Sequence, residues 1–137
     1  MKNLYNLFFF IIILMVSCEK NTNNFPHAHV NLNLFINNPE YFDLGTPGGW
    51  MYITGGVGGI LLYRQNFDQF IAYDRASPFN PTSDCQIEVN NDNIIISDPC
   101  SESLFLITDG SVFQGPATQA LIRYNTYYDG QILTIFN

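Results

Sequence analysis

The stretch Asp98-Pro99-Cys100-Ser101-Glu102-Ser103-Leu104-Phe105 falls into two unlike halves. Its front is a proline-bearing run of small polar residues, the composition of a loop. Leu104 then opens an apolar run to Ile107, and Asp109-Gly110-Ser111 stops it. A run this short between turn signals reads as a strand. Gly115-Pro116-Ala117 breaks the chain once more. The same alternation of short apolar run and turn continues in both directions and decides the fold class.

Towards the N-terminus, Gln86 to Val89 and Asn93 to Ile96 flank Asn90-Asn91-Asp92. A long loop with proline and asparagine covers Arg75 to Asp84, and Phe70 to Tyr73 precedes it. Trp50 to Thr54 and Ile60 to Arg64 enclose Gly55-Gly56-Val57-Gly58-Gly59, whose glycines supply the positive φ a hairpin needs. Val30, Leu32, Leu34 and Ile36 alternate with Asn31, Asn33 and Phe35, the period of a half-buried strand. Towards the C-terminus, Leu121 to Tyr128 and Gln131 to Phe136 flank Asp129-Gly130, a two-residue hairpin signal. No window beyond the N-terminal apolar run carries a helical stripe. The expectation is an all-β single domain over residues 29–137, an antiparallel β-sandwich or partly open barrel. The aromatic residues, 15% of the chain, are expected to pack cores and strand pairs.

The loop between Asp98 and Phe105 resembles the second ligand loop of the Rieske iron–sulfur domain, which in that family reads C-P-x-H-G-S-x-F. Here the frame is D-P-C-S-E-S-L-F, followed by Asp109-Gly110, Gly115-Pro116-Ala117, Leu121 and Tyr124. Asp98 stands at the ligand cysteine and Ser101 at the ligand histidine. Phe70-Ile71-Ala72-Tyr73-Asp74 resembles the strand that leads into the family's first ligand loop. Ser77 then stands where a cysteine belongs and Phe79 where a histidine belongs, with Asn80 to Asp84 as an insertion. The resemblance implies a Rieske-like fold. A Rieske [2Fe–2S] cluster needs two thiolates on one iron and two imidazoles on the other. Ser77 and Asp98 offer hard oxygen donors instead, poor substitutes for sulfur. The expectation is a domain with no cofactor. The alternative is a ferredoxin-type electron carrier with a [2Fe–2S] cluster in non-standard ligation.

High-potential members of the family carry one extra cysteine in each ligand loop, joined as a disulfide. Cys100 falls on the second of these positions and Cys85 lies in the first loop, so the resemblance implies a Cys85–Cys100 bridge. Compartment points the same way, because two cysteines left in an exported chain tend to pair.

Export is read from the N-terminus. Lys2 precedes an apolar run from Leu7 to Val16, too short to span a bilayer and right for a secretory signal over residues 1–17. Leu14-Met15-Val16-Ser17-Cys18 resembles a bacterial lipobox, which implies cleavage before Cys18 and a lipid on its thiol. Residues 18–28 then form a polar tether. The expected location is the bacterial cell envelope, lipid-anchored in the outer membrane. The formal net charge of −7 becomes one unit more negative when Lys2 leaves with the signal. Lys20, Arg64, Arg75 and Arg123 are then the only basic side chains apart from histidine, so no nucleic acid is expected as a partner. The acidic balance also disfavours docking on anionic lipid, which leaves the Cys18 lipid as the membrane link.

No enzyme is expected. The two histidines, His27 and His29, share the tether and would hold a metal only weakly as a pair. The glycine run leads into a strand, not the helix that a phosphate loop requires. No Ser/His/Asp or Cys/His set can be assembled. What remains is a binding or structural module whose partner is an envelope protein or ligand, with Ser77, Phe79, Asp98 and Ser101 at its tip.

Overall fold

A computed structural model of the chain describes residues 25–82 and 84–137. Residues 1–17, expected to be a signal peptide, Cys18 and the first part of the expected tether lie outside the described residues. Ten strands are present among the described residues: β1 (Asn31–Phe35), β2 (Trp50–Ile53), β3 (Ile60–Arg64), β4 (Phe70–Asp74), β5 (Glu88–Val89), β6 (Ile95–Ser97), β7 (Leu104–Leu106), β8 (Val112–Gln114), β9 (Arg123–Tyr128) and β10 (Ile132–Phe136). The larger sheet has the order β1-β10-β9-β4-β3-β2 and curls into a half-barrel. The smaller has the order β5-β6-β7-β8. Neighbours pair antiparallel throughout, so the all-β expectation holds in a single small domain.

Two cores explain which sequence runs alternate and which do not. Inside the half-barrel, Ile60, Leu62, Phe70, Ala72, Leu133 and Ile135 pack with Val30, Ile36, Leu44 and Tyr124. On the other face of β3 and β4, Leu61, Tyr63, Ile71 and Tyr73 meet Ile87, Ile96, Phe105, Ile107, Ala117 and Leu121. The small sheet therefore packs on the half of the large one formed by β4, β3 and β2. Strands β3 and β4 are buried on both faces, which is why Ile60-Leu61-Leu62-Tyr63 and Phe70-Ile71-Ala72-Tyr73 are continuous apolar runs. Strand β1 is covered on one face only and alternates Asn31, Asn33 and Phe35 outwards with Leu32 and Leu34 inwards.

Several boundaries differ from the pattern in the sequence. Strand β6 starts at Ile95, not Asn93, because Asn93 takes a left-handed conformation (φ 57°) and belongs to the turn. Asp92 Oδ1 accepts hydrogen bonds from the N–H groups of Ile94 and Ile95 and fixes that turn. Pro39–Leu44 forms a short 3-10 helix whose one buried residue, Leu44, fills the half-barrel. One inward residue in such a short run leaves no periodic signal to read. The Asp129-Gly130 hairpin forms as its sequence implies. Asp129 Oδ1 accepts from Gln131 and Ile132, and Gly130 has φ 99°. Residues 25–28 run beside Ile122, Arg123, Tyr124 and Asn137, and the Asn137 side-chain amide donates to the Ala28 carbonyl at 2.7 Å.

The loops that hold the site leave the sheets close together. One follows β4 and is pinned at its base by the Ala76–Gln86 bridge. The other joins β6 to β7 and is tightened by Glu102 N–H on the Asp98 carbonyl (2.8 Å) and Asp98 N–H on the Ser103 carbonyl (2.9 Å).

Candidate functional site

Asp98 begins the second loop, where β6 ends, and is about 1% exposed. Its carboxylate is met by donors from both loops. Ser77 Oγ donates to Oδ2 at 2.5 Å, Ser101 Oγ to the same oxygen at 2.6 Å, and the Cys100 N–H to Oδ1 at 3.0 Å. Ser101 Oγ also lies 2.8 Å from Ser103 Oγ, and Ser103 Oγ accepts from the Ala117 N–H at 2.9 Å. Ser77 Oγ in turn accepts from the Phe79 N–H at 3.1 Å. The result is one connected polar network running from the first loop through the second to the segment after β8. Burying such groups is tolerable only when each has a partner. Among the described residues, no buried side-chain nitrogen or oxygen lacks one.

Cys85 and Cys100 are joined as a disulfide, with Cα atoms 6.2 Å apart, and clamp the same two loops from outside. The structure thus brings together Ser77, Asp98, Ser101, Cys85 and Cys100. Ser77 and Asp98 are buried, and Ser101 is half-buried. Ser77 and Asp98 thus fill the interior of the tip and do not form its surface, their polar atoms satisfied by one another. Phe79 points outwards, about 53% exposed. His27 and His29 are exposed beside the start of β1 and take no part.

Burial by itself would raise the Asp98 pKa. The hydroxyls of Ser101 and Ser77 and the N–H groups of Cys100 and Ser101 outweigh it and hold the carboxyl below the usual range. A depressed folded-state pKa means the native chain binds fewer protons than the unfolded chain. Asp98 therefore adds stability above the ordinary aspartate value, roughly pH 4, and loses it as pH falls through its lower folded value. Acid unfolding followed by circular dichroism should show this as a loss of stability below about pH 4. Asp98→Asn should be less stable near neutrality and show a smaller acid dependence. An unchanged acid profile in that variant would place the proton uptake elsewhere.

The resemblance to the Rieske loops implies an iron–sulfur cluster, and the donor set does not fit one. Ser77, Phe79, Asp98 and Ser101 present two hydroxyls, a carboxylate and a hydrocarbon ring, with no thiolate or imidazole. The Ser77 and Ser101 hydroxyls are already committed to Asp98 Oδ2.

A second polar centre lies next to the first, and no sequence signal beyond the strand-end position of Asp74 pointed to it. Asp74 is fully buried at the end of β4. Its Oδ2 accepts from the Val57 N–H (2.6 Å) and the Tyr124 hydroxyl (2.5 Å), and its Oδ1 from the N–H groups of Gly58 (2.9 Å) and Ala76 (2.7 Å). The carboxylate joins the β2–β3 turn, the first loop and β9. Burial, and then the Asp74 carboxylate beside it, push the Tyr124 phenol well above its ordinary pKa. Gly56, at φ 64°, belongs here because any Cβ would collide with Asp74 Oδ2 and the Tyr124 hydroxyl. Tyr73, also buried, donates to the Ile107 carbonyl at 3.0 Å and ties the small sheet to β4.

Comparison of the chain with protein-family models gives no match, and comparison with curated proteins gives none either. No helix among the described residues is long and apolar enough to cross a membrane.

Proposed function

We propose that this chain is a lipid-anchored protein of the bacterial cell envelope. Its Rieske-like β domain holds no iron–sulfur cluster and serves as a binding or structural module for an envelope protein or ligand. One observation carries the reading. The positions that resemble cluster ligands are linked to each other by hydrogen bonds, Ser77 to Asp98 and Asp98 to Ser101, inside two loops closed by a disulfide. A tip of this kind is held in shape without a metal. Loops on a rigid sheet are where proteins carry recognition, and Phe79 is the large apolar side chain this tip presents.

The first test is elemental. Protein made with iron–sulfur assembly intact should contain iron far below one atom per chain. Two irons per chain with an EPR signal on reduction, as a [2Fe–2S] centre requires, would make the protein an electron carrier instead. The second test concerns the anchor. Cys18→Ala, or inhibition of lipoprotein signal cleavage, should block maturation and move the protein out of the membrane fraction. Normal fractionation of Cys18→Ala would remove the lipid from the proposal. Pull-down from native envelope, with Phe79→Ala as the comparison, addresses the partner. Capture that is equal for both proteins would move recognition away from the tip.

A further inference from the structure

The disulfide and the buried carboxylate beside it form a donor set with its own chemistry. The Sγ atoms of Cys85 and Cys100 and a carboxylate oxygen of Asp98 all lie within 4.8 Å of one another. Asp98 is buried, Cys85 is partly covered and Cys100 is exposed, so the group is open to solvent on one side. We propose that reduction of Cys85–Cys100 creates a site for a thiophilic divalent cation such as Zn²⁺, with two thiolates and the Asp98 carboxylate as ligands and water in the fourth position.

Geometry supports this because neither loop depends on the sulfur bond alone for its place. Gln86, next to Cys85, pairs with Ala76 and donates its side-chain amide to the Gly58 carbonyl at 2.5 Å. The Cys100 N–H is held by Asp98 Oδ1, and the loop around it by the Glu102 and Ser103 backbone bonds. After reduction the two thiols stay on anchored backbone. Cα atoms 6.2 Å apart suit two thiolates that share one tetrahedral zinc with Zn–S bonds of about 2.3 Å. Asp98 is oriented from behind, since Ser77 and Ser101 both donate to Oδ2. Hydrogen bonds of this kind fix a carboxylate ligand and tune its affinity. Two thiolates and one carboxylate select Zn²⁺ or Cd²⁺ over Mg²⁺ and Ca²⁺, which prefer all-oxygen shells.

The chemistry balances in two steps. A dithiol reductant gives two electrons and two protons to the Cys85–Cys100 bond and leaves as its own disulfide. The cation then displaces both thiol protons to solvent. The site shares Asp98 with the network described above but takes its sulfurs from Cys85 and Cys100, which do not stand at the positions that resemble cluster ligands.

The test compares oxidised protein with protein reduced by a phosphine and desalted without oxygen. Zn²⁺ and Cd²⁺ are the probes. Reduced protein should take up one cation per chain, with a cadmium–thiolate charge-transfer band in the ultraviolet, and oxidised protein should take up none. Folded reduced protein should bind at least ~10-fold tighter than the same chain in urea, and Asp98→Asn should weaken binding ~10-fold or more. Equal uptake by oxidised and reduced protein would overturn the site. So would equal affinity in native buffer and urea, which is also the result expected if the reduced chain does not fold. An Asp98→Asn variant with unchanged affinity would equally refute it, since the carboxylate would then not be a ligand.

Discussion

Asp74→Ala should be the most damaging single substitution in this chain, costing more than about 3 kcal/mol and leaving little folded protein at 37 °C. The reason is the number of donors it strands. Val57, Gly58 and Ala76 N–H groups and the Tyr124 hydroxyl all end on this one buried carboxylate. Each buried donor left without an acceptor costs about 1–3 kcal/mol, and the Ala76 and Tyr124 bonds are buried while those of Val57 and Gly58 are part-buried. Asp74→Asn should also destabilise, because the side-chain NH₂ must face a backbone N–H at one of the two oxygens. Tyr124→Phe removes a single donor and keeps the ring, so it should cost about 1 kcal/mol. The Asp74→Ala, Tyr124→Phe double variant should lose less than the two costs combined, since both break one network. Denaturant unfolding of the four variants decides the matter. An Asp74→Ala protein within about 1 kcal/mol of wild type would mean that the turn and the first loop are held by something else.

Loss of the disulfide should be the next largest effect. The bridge closes a loop with a sequence separation of 15. Closure of that length is worth about 3 kcal/mol in the chain-entropy model. For a domain of this size, that corresponds to a fall in melting temperature on the order of 10 °C or more. Cys85→Ser and Cys100→Ser should fall by similar amounts, and the double variant by little more than either. The first loop should feel the loss most. Within it Phe79, Asn80, Thr82 and Asp84 are exposed and none belongs to either hydrophobic core. Additive losses, or thiols that titrate in the oxidised native protein, would argue against the bridge.

The fold class was legible because its signals are local. Asp129-Gly130 dictates a tight hairpin whatever surrounds it, since a left-handed glycine and an aspartate that caps its own turn act within a few residues. The alternation along β1 needs only one wet and one dry face. Strand β6 starts later than its pattern suggests because Asn93 can sit in either a strand or a turn, and the choice rests on Asp92 capping Ile94 and Ile95. Strand β8 was missed, since three residues with a half-buried and two exposed positions carry no period.

The site divides the same way. Cysteine count was enough to single out Cys85 and Cys100, and the resemblance to the Rieske ligand loops singled out Ser77, Asp98 and Ser101. That Ser77 and Ser101 donate to one oxygen of Asp98 depends on two loops, 21 residues apart at Ser77 and Asp98, meeting across the end of the small sheet. Asp74 shows the limit most plainly. In the sequence it is an ordinary acid closing an aromatic strand. It becomes a hub because the β2–β3 turn, β4 and β9 converge there, joining residues up to 50 positions apart. Strand pattern and turn chemistry arise between neighbours, so composition and order suffice to set them. Burial of a carboxylate among donors from distant segments is a property of packing, and it exists only once the half-barrel has closed.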